Sequence, residues 1–218
     1  MSLLTHRSRS LFLLYSVLLF FVATPLFEHR EGGETIIVLN LFLTLVAATV
    51  LLSERRAVFL SAIPLAGTTI GLLWLNHVYH SALFETASYA SLTLFVGLVC
   101  VSLFIYLGKK GAIDKERLVV SVCLYFLIAL FWFAVLELTN TLHPASFAEA
   151  GATLTGHISP SKMLYFSLTS LTTLGFGDIV PIRPPARMFA SLEAASGVLY
   201  IAITVARLVA SYQTAEKD

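Results

Sequence analysis

Six long apolar runs, separated by short polar breaks, constrain this chain more than any other feature. They cover residues 11–27, 36–52, 57–78, 85–107, 118–139 and 186–212. Each has roughly the 17–25 residues that carry a helix across the hydrocarbon core of a bilayer. Hydrophobic residues make up 57% of the chain and charged ones only 12%, about half the charged share of a soluble domain. The reading is an integral membrane protein, all-α, with six transmembrane helices. Arg7 and Arg9 precede the first run as they would in a signal peptide. However, Pro25, Phe27 and Glu28 follow it instead of a small-residue cleavage site, so a retained helix is expected.

Charge placement sets the orientation. If residues 1–10 are cytoplasmic, the inner segments hold Arg7, Arg9, Arg55, Arg56, Lys109, Lys110, Lys115, Arg117, Arg207 and Lys217. These are ten of the fourteen basic residues; only Arg30, Lys162, Arg183 and Arg187 lie outside. The positive-inside rule then puts both termini in the cytoplasm. Acidic residues gather outside: Glu28, Glu31, Glu34, Glu85, Glu149 and Asp178. The net charge of +1 and the lack of a basic arm give no sign of nucleic-acid binding. Cys100 and Cys123 lie inside apolar runs and read as small hydrophobes without a disulfide.

A seventh stretch, residues 160–172, is half the spanning length and cannot cross as a helix. Ser159-Pro160 before it suits a helix start, with a hydroxyl N-cap and proline at the first position. The expected element is a re-entrant pore helix running inward. Its C-terminal dipole end would aim about half a negative charge at a central cavity. Residues 140–159, between it and the fifth run, read as an irregular outer turret.

Directly after this half-helix comes Thr173-Leu174-Gly175-Phe176-Gly177-Asp178. Backbone without regular hydrogen bonding survives at membrane depth only where it is buried in protein or lines a watery path. Glycines at alternate positions permit left-handed backbone and let successive carbonyls face one axis. Four copies would form rings of oxygens from the Thr173 hydroxyl and the carbonyls of Thr173, Leu174, Gly175 and Phe176. Such rings replace the hydration shell of potassium. One chain supplies one strand, so three identical subunits are the expected partners in a homotetramer with cyclic symmetry.

This segment resembles the potassium-channel filter Thr-Val-Gly-Tyr/Phe-Gly-Asp, with Leu174 in place of valine. Residues 165–172 are similar to the family's pore helix, Ile179-Val180-Pro181 fits the stretch just beyond the family's filter, and residues 195–202 resemble its inner helix around a hinge glycine. The likeness is strong over 118–212 and weak over the first four helices. It implies a potassium-selective channel, not an enzyme, with potassium as the permeant ion at Thr173, Leu174, Gly175 and Phe176 and no cofactor. Thr172 and Asp178 would support the filter and its outer mouth, Gly197 would be the gating hinge, and Thr204 would line the inner vestibule. Many relatives pair the outer aspartate with a carboxylate four residues before the filter threonine. Thr169 stands there, which leaves Asp178 without that brace.

Two further residues keep alternative readings. Glu193, an acid within the sixth helix, either braces the back of the pore helix through Ser or Thr hydroxyls or reaches the outer interface. Gly197 either bends helix six or permits close packing. Glu137 reads as interfacial, and His77 and His80 as interfacial polar residues, since two ligands make no convincing metal site. Gly67 and Gly71 would allow close packing of helix three, which Pro64 would kink.

The expected organisation is a cytoplasmic N-terminus at 1–10, a four-helix peripheral domain at 11–107 and a linker at 108–117. A pore domain at 118–212 and a cytoplasmic tail at 213–218 complete it, with no soluble domain appended. The layout is similar to small bacterial six-helix channels of the inner membrane that lack sensor arginines. Residues 85–107 contain no basic residue, whereas a voltage sensor needs a regular series of them. Steep voltage gating is therefore not expected, and leak-like, lipid-modulated and partner-driven opening all stay open. The competing readings are a non-selective cation channel and, more remotely, a transporter or auxiliary membrane subunit.

Overall fold

A computed structural model describes residues 6–52, 56–108, 115–156 and 158–215. The basic residues Arg55, Lys109, Lys110 and Lys217 and most of the 108–117 linker lie outside the described residues, as does part of each terminal segment. Among the described residues, seven helices and three short strands run in the order α1 (His6–Phe27), α2 (Gly33–Leu52), α3 (Arg56–Tyr79), α4 (Ala82–Gly108), α5 (Lys115–Leu142), β1 (Phe147–Glu149), β2 (Ala152–Thr153), α6 (Pro160–Leu171), β3 (Ile179–Pro181) and α7 (Pro184–Ala215). Six of these helices are long and apolar enough to cross a membrane; α6 is not among them. Most extend a few residues beyond their apolar runs, because polar residues at the interface continue a helix as readily as they end one.

Helices α1 to α4 pack in sequence, and the bundle rests on α5 through both α1 and α4. In α1 the contact face is Leu13, Val17 and Phe20, spaced four and three residues apart as one helix face requires, and all three are fully buried. Phe133 of α5 is the joint: its ring meets Phe20 of α1 edge-on at 6.5 Å and Tyr89 of α4 at 6.3 Å. Both α1 and α4 therefore lie against α5 of the same chain. Small hydroxyl residues fill the remaining contacts, as expected where lipid gives helices no hydrophobic reason to associate. Thr69 of α3 and Ser91 of α4 share a 2.7 Å hydrogen bond, and Thr44 of α2 reaches the Ser16 carbonyl of α1. Cys100 and Cys123 are both free.

The turret departs from the irregular loop expected of it. β1 pairs antiparallel with β2 and with β3, giving the order β2-β1-β3. Ala150 and Gly151 turn the hairpin with φ of 49° and 84°, the left-handed angles a tight hairpin demands. The pairing Phe147↔Pro181 and Glu149↔Ile179 ties β1 to the strand that follows residues 172–178. Such partners lie far apart in the chain, so no local pattern announces them.

Candidate ion filter and its supports

Helices α6 and α7 run in the same direction where they touch. Ser167 meets Glu193, and one turn further on Leu171 meets Gly197, so both chains advance together. α5 runs against them, with Trp132 beside Phe189 and Ser196 while Ser121 lies beside Tyr200. A short helix parallel to α7 must be followed by a segment returning towards the start of α7. That segment is 172–178.

The return begins on the end of α6. Thr172 N donates to Leu168 O and Thr173 N to Ser170 O, while Leu174 N and Gly175 N both donate to Thr169 O at 2.9 and 3.1 Å. The backbone then alternates in hand: φ is positive at Thr173 (58°), Gly175 (52°) and Gly177 (77°), but not at Leu174 or Phe176. Glycine adopts such angles freely. Thr173 is a β-branched residue held in a conformation that few of its kind adopt. Its Oγ1 donates to Thr172 O at 2.7 Å, and Thr172 Oγ1 donates to Leu168 O at 2.7 Å. Among the described residues, no donor meets the carbonyls of Thr173, Leu174, Gly175 or Phe176. Four successive acceptors are thus left open in a protein whose backbone oxygens are normally paired.

Asp178 has a brace that the sequence pattern concealed. Tyr165 Oη donates to Asp178 Oδ2 at 2.8 Å, and the Tyr165 ring lies parallel to Phe176, 4° between planes with centroids 6.2 Å apart. The carboxylate partner is absent, since Thr169 stands at that position, and the hydrogen bond comes from elsewhere. A phenol thirteen residues away supplies the hydrogen bond instead. That bond holds the Asp178 carboxyl below the usual aspartate range, a carboxylate being the better acceptor. Behind Asp178, its carbonyl accepts from Ala150 N at 3.0 Å, linking filter and hairpin.

The start of α6 holds a correction. The Ser159 hydroxyl makes no cap to its own helix. It donates instead to Glu28 Oε2 at 3.3 Å, while Ser161 N donates to Glu28 Oε1 at 3.4 Å and the Ser161 hydroxyl also bonds the Glu28 carboxylate. Glu28 comes directly after α1, so an acid from the first-helix side of the chain accepts from the Ser161 amide in the first turn of α6. Ser159 could not compete, because an ionised acceptor makes the stronger bond. Lys162, in the same first turn, pairs with Glu149 of β1 at 2.5 Å.

Two acids well inside spanning helices, Glu137 and Glu193, are buried. Glu193 is fully enclosed, with Oε1 2.5 Å from Ser167 Oγ, so it does not reach the outer interface. Glu137 is 1% exposed, which corrects its reading as interfacial; its Oε1 has no partner among the described residues. Gly197 sits where a Cβ would lie 2.0 Å from Leu171 O, a contact that by itself requires glycine. Thr204 is half-buried one turn below Tyr200, whose hydroxyl donates to Ser121 O at 2.6 Å. His77 meets Glu34 at 3.6 Å and Thr35 at 3.2 Å, and no cluster that could hold a metal occurs among the described residues.

Residues 118–214 match the family model described as "Ion channel". The chain is also similar to the A-type voltage-gated potassium channel KCND3 of rat, rabbit and human, in each case 33% identical over 66 residues. That match covers 30% of this chain and a tenth of each relative's length. No solved structure matches. The chain is an integral membrane protein of six apolar helices with an ion-channel domain in its second half. Such proteins are not enzymes.

Proposed function

We propose that the chain is one subunit of a homotetrameric, potassium-selective channel whose filter is residues 173–177. One observation carries this reading: an alternating-hand backbone from Thr173 to Gly177, with its carbonyls unpaired, at the end of a half-length helix. Carbonyls without donors are ligands for a cation, and stacked rings of them suit dehydrated potassium. The Thr173 hydroxyl oxygen would complete the innermost ring. Potassium is then the permeant ion, and the chemistry calls for no cofactor.

Assembly with three further copies is supported by what one chain leaves uncovered. Leu174 and Phe176 are 60% and 64% exposed, and Met188, Val198 and Leu199 of α7 more than half. An open groove beside the filter, lined by Phe166, Thr173, Gly175, Arg187 and Ala194, would seat the neighbouring subunit. Side chains of α7 not covered by protein would face lipid. Thr172 and Asp178 support the inner and outer ends of the filter, Gly197 admits the close approach of α7, and Thr204 lies towards the inner vestibule.

Orientation with both termini cytoplasmic, in a bacterial inner membrane, rests on the inner excess of basic residues and on the likeness to bacterial channels. The uncharged span of α4 supports a pore not steeply gated by voltage. The test is flux from purified protein in liposomes under potassium and sodium gradients. Potassium flux with strong rejection of sodium, lost in Gly175→Asp, is expected; φ of 52° at Gly175 leaves little tolerance for a side chain. Equal flux of the two ions through the unmodified channel would overturn the selective reading.

A further inference from the structure

Glu193, Ser167 and Ala129 bring together α7, α6 and α5 behind the filter. Ser167 Oγ is 2.8 Å from Ala129 O and 2.5 Å from Glu193 Oε1, and all three groups are buried. A serine hydroxyl has one proton. If Glu193 were ionised, that proton could serve either the carbonyl or the carboxylate, and two acceptors would be left facing each other across one hydrogen. Both contacts are satisfied only when Ser167 donates to Ala129 O and a carboxylic acid on Glu193 donates to Ser167 Oγ.

Glu193 Oε2 leads to the same assignment. It is buried without a partner among the described residues. As the carbonyl oxygen of an acid it lacks one neutral hydrogen bond; as part of a carboxylate it would be an uncompensated buried charge, a much larger cost. The backbone of Glu193 is held as well: Ser196 Oγ donates to Glu193 O at 2.7 Å and receives Trp132 Nε1–H of α5 at 2.9 Å.

We propose that Glu193 is a neutral hydrogen-bond donor that clamps the pore helix between α5 and α7, and that this clamp positions the filter for selectivity. Ser167 lies about one helical turn and a half before Thr172, and the carbonyl of Thr169 between them holds the amides of Leu174 and Gly175. A pore helix free to rotate at Ser167 would carry the Thr169 anchor with it. The clamp works through geometry and not through charge: a ring of four carboxylates at this depth would instead act on the ions directly.

The proposal rests on the filter reading, and its test separates the two. Wild type, Glu193→Gln, Glu193→Ala, Ser167→Ala and the double alanine variant are purified as full chains, checked for tetramer and reconstituted in liposomes. Glutamine keeps a donor and a carbonyl, so Glu193→Gln is expected to retain potassium-over-sodium selectivity within about twofold of wild type. Each alanine variant is expected to lose selectivity roughly tenfold, and the double variant no more than either alone, because one clamp is broken once. An infrared difference spectrum between wild type and Glu193→Gln should lose a protonated-carboxyl band and leave the carboxylate bands unchanged. Loss of a carboxylate band, failure of glutamine to substitute, or wild-type selectivity in Glu193→Ala would overturn the proposal. A wild type that does not select potassium sinks the filter reading alone; the infrared band still decides where the proton lies.

Discussion

Replacing Gly197 with alanine sets two effects of opposite sign against each other. Alanine is better than glycine inside a helix by about 0.8–1.0 kcal/mol. If Gly197 served only as a flexible joint, Gly197→Ala would stiffen α7, stabilise the tetramer slightly and slow opening, with selectivity intact. The structure places the new methyl 2.0 Å from Leu171 O, 3.0 Å from Leu171 C and 3.1 Å from Leu171 Cδ1. The close atoms include backbone at the end of the pore helix, which cannot swing aside as a side chain can. To restore ordinary contact, α6 and α7 must part by on the order of 1 Å, and overpacking of this kind costs about 1–3 kcal/mol. The steric term therefore exceeds the propensity gain over most of that range, and the displacement falls one residue before Thr172. Thermal dissociation of the proposed tetramer and the potassium-to-sodium flux ratio are the measurements. A lower dissociation temperature together with reduced selectivity is expected. A more stable tetramer with unchanged selectivity would show that α7 does not touch the pore helix so closely.

Two other perturbations test the outer mouth and the start of α6. Tyr165→Phe removes the hydroxyl that holds Asp178 below the usual aspartate range while keeping the ring on Phe176. A depressed carboxyl favours the native mouth above the ordinary aspartate pKa and loses that contribution as pH falls through its own lower value. Acid inhibition from the outside should thus set in at higher pH in Tyr165→Phe than in wild type, read from current against external pH; an unshifted profile would dismiss the bond. Glu28→Ala removes the acceptor at the start of α6 and is expected to cost about 0.5–2 kcal/mol, as loss of an N-cap does. It should lower the tetramer's thermal stability and speed loss of conduction at the filter, whereas Glu31→Ala, outside this contact, serves as the control expected to leave both unchanged.

The parts legible in the sequence are those set by local pattern. Apolar runs of spanning length need no tertiary knowledge, because bilayer thickness fixes helix length. The half-length helix opening at Pro160 and the alternating glycines at 175 and 177 are likewise short-range signals. What the sequence could not assign was which distant side chain completes each local need. Ser159 looked like the cap of its helix, but Glu28 takes that role from 131 residues away. Thr169 looked like a missing brace, but Tyr165 supplies it by reaching across the filter turn. Glu137 looked interfacial by its position near the end of α5, yet neighbouring helices enclose it. Gly197 could be read as hinge or as packing until Leu171 O appeared beside it. Length, periodicity and backbone freedom are properties of a segment and can be read from it. Hydrogen-bond partners and close approaches belong to pairs of segments, and only the packing of α1, α5, α6 and α7 around one another decides them.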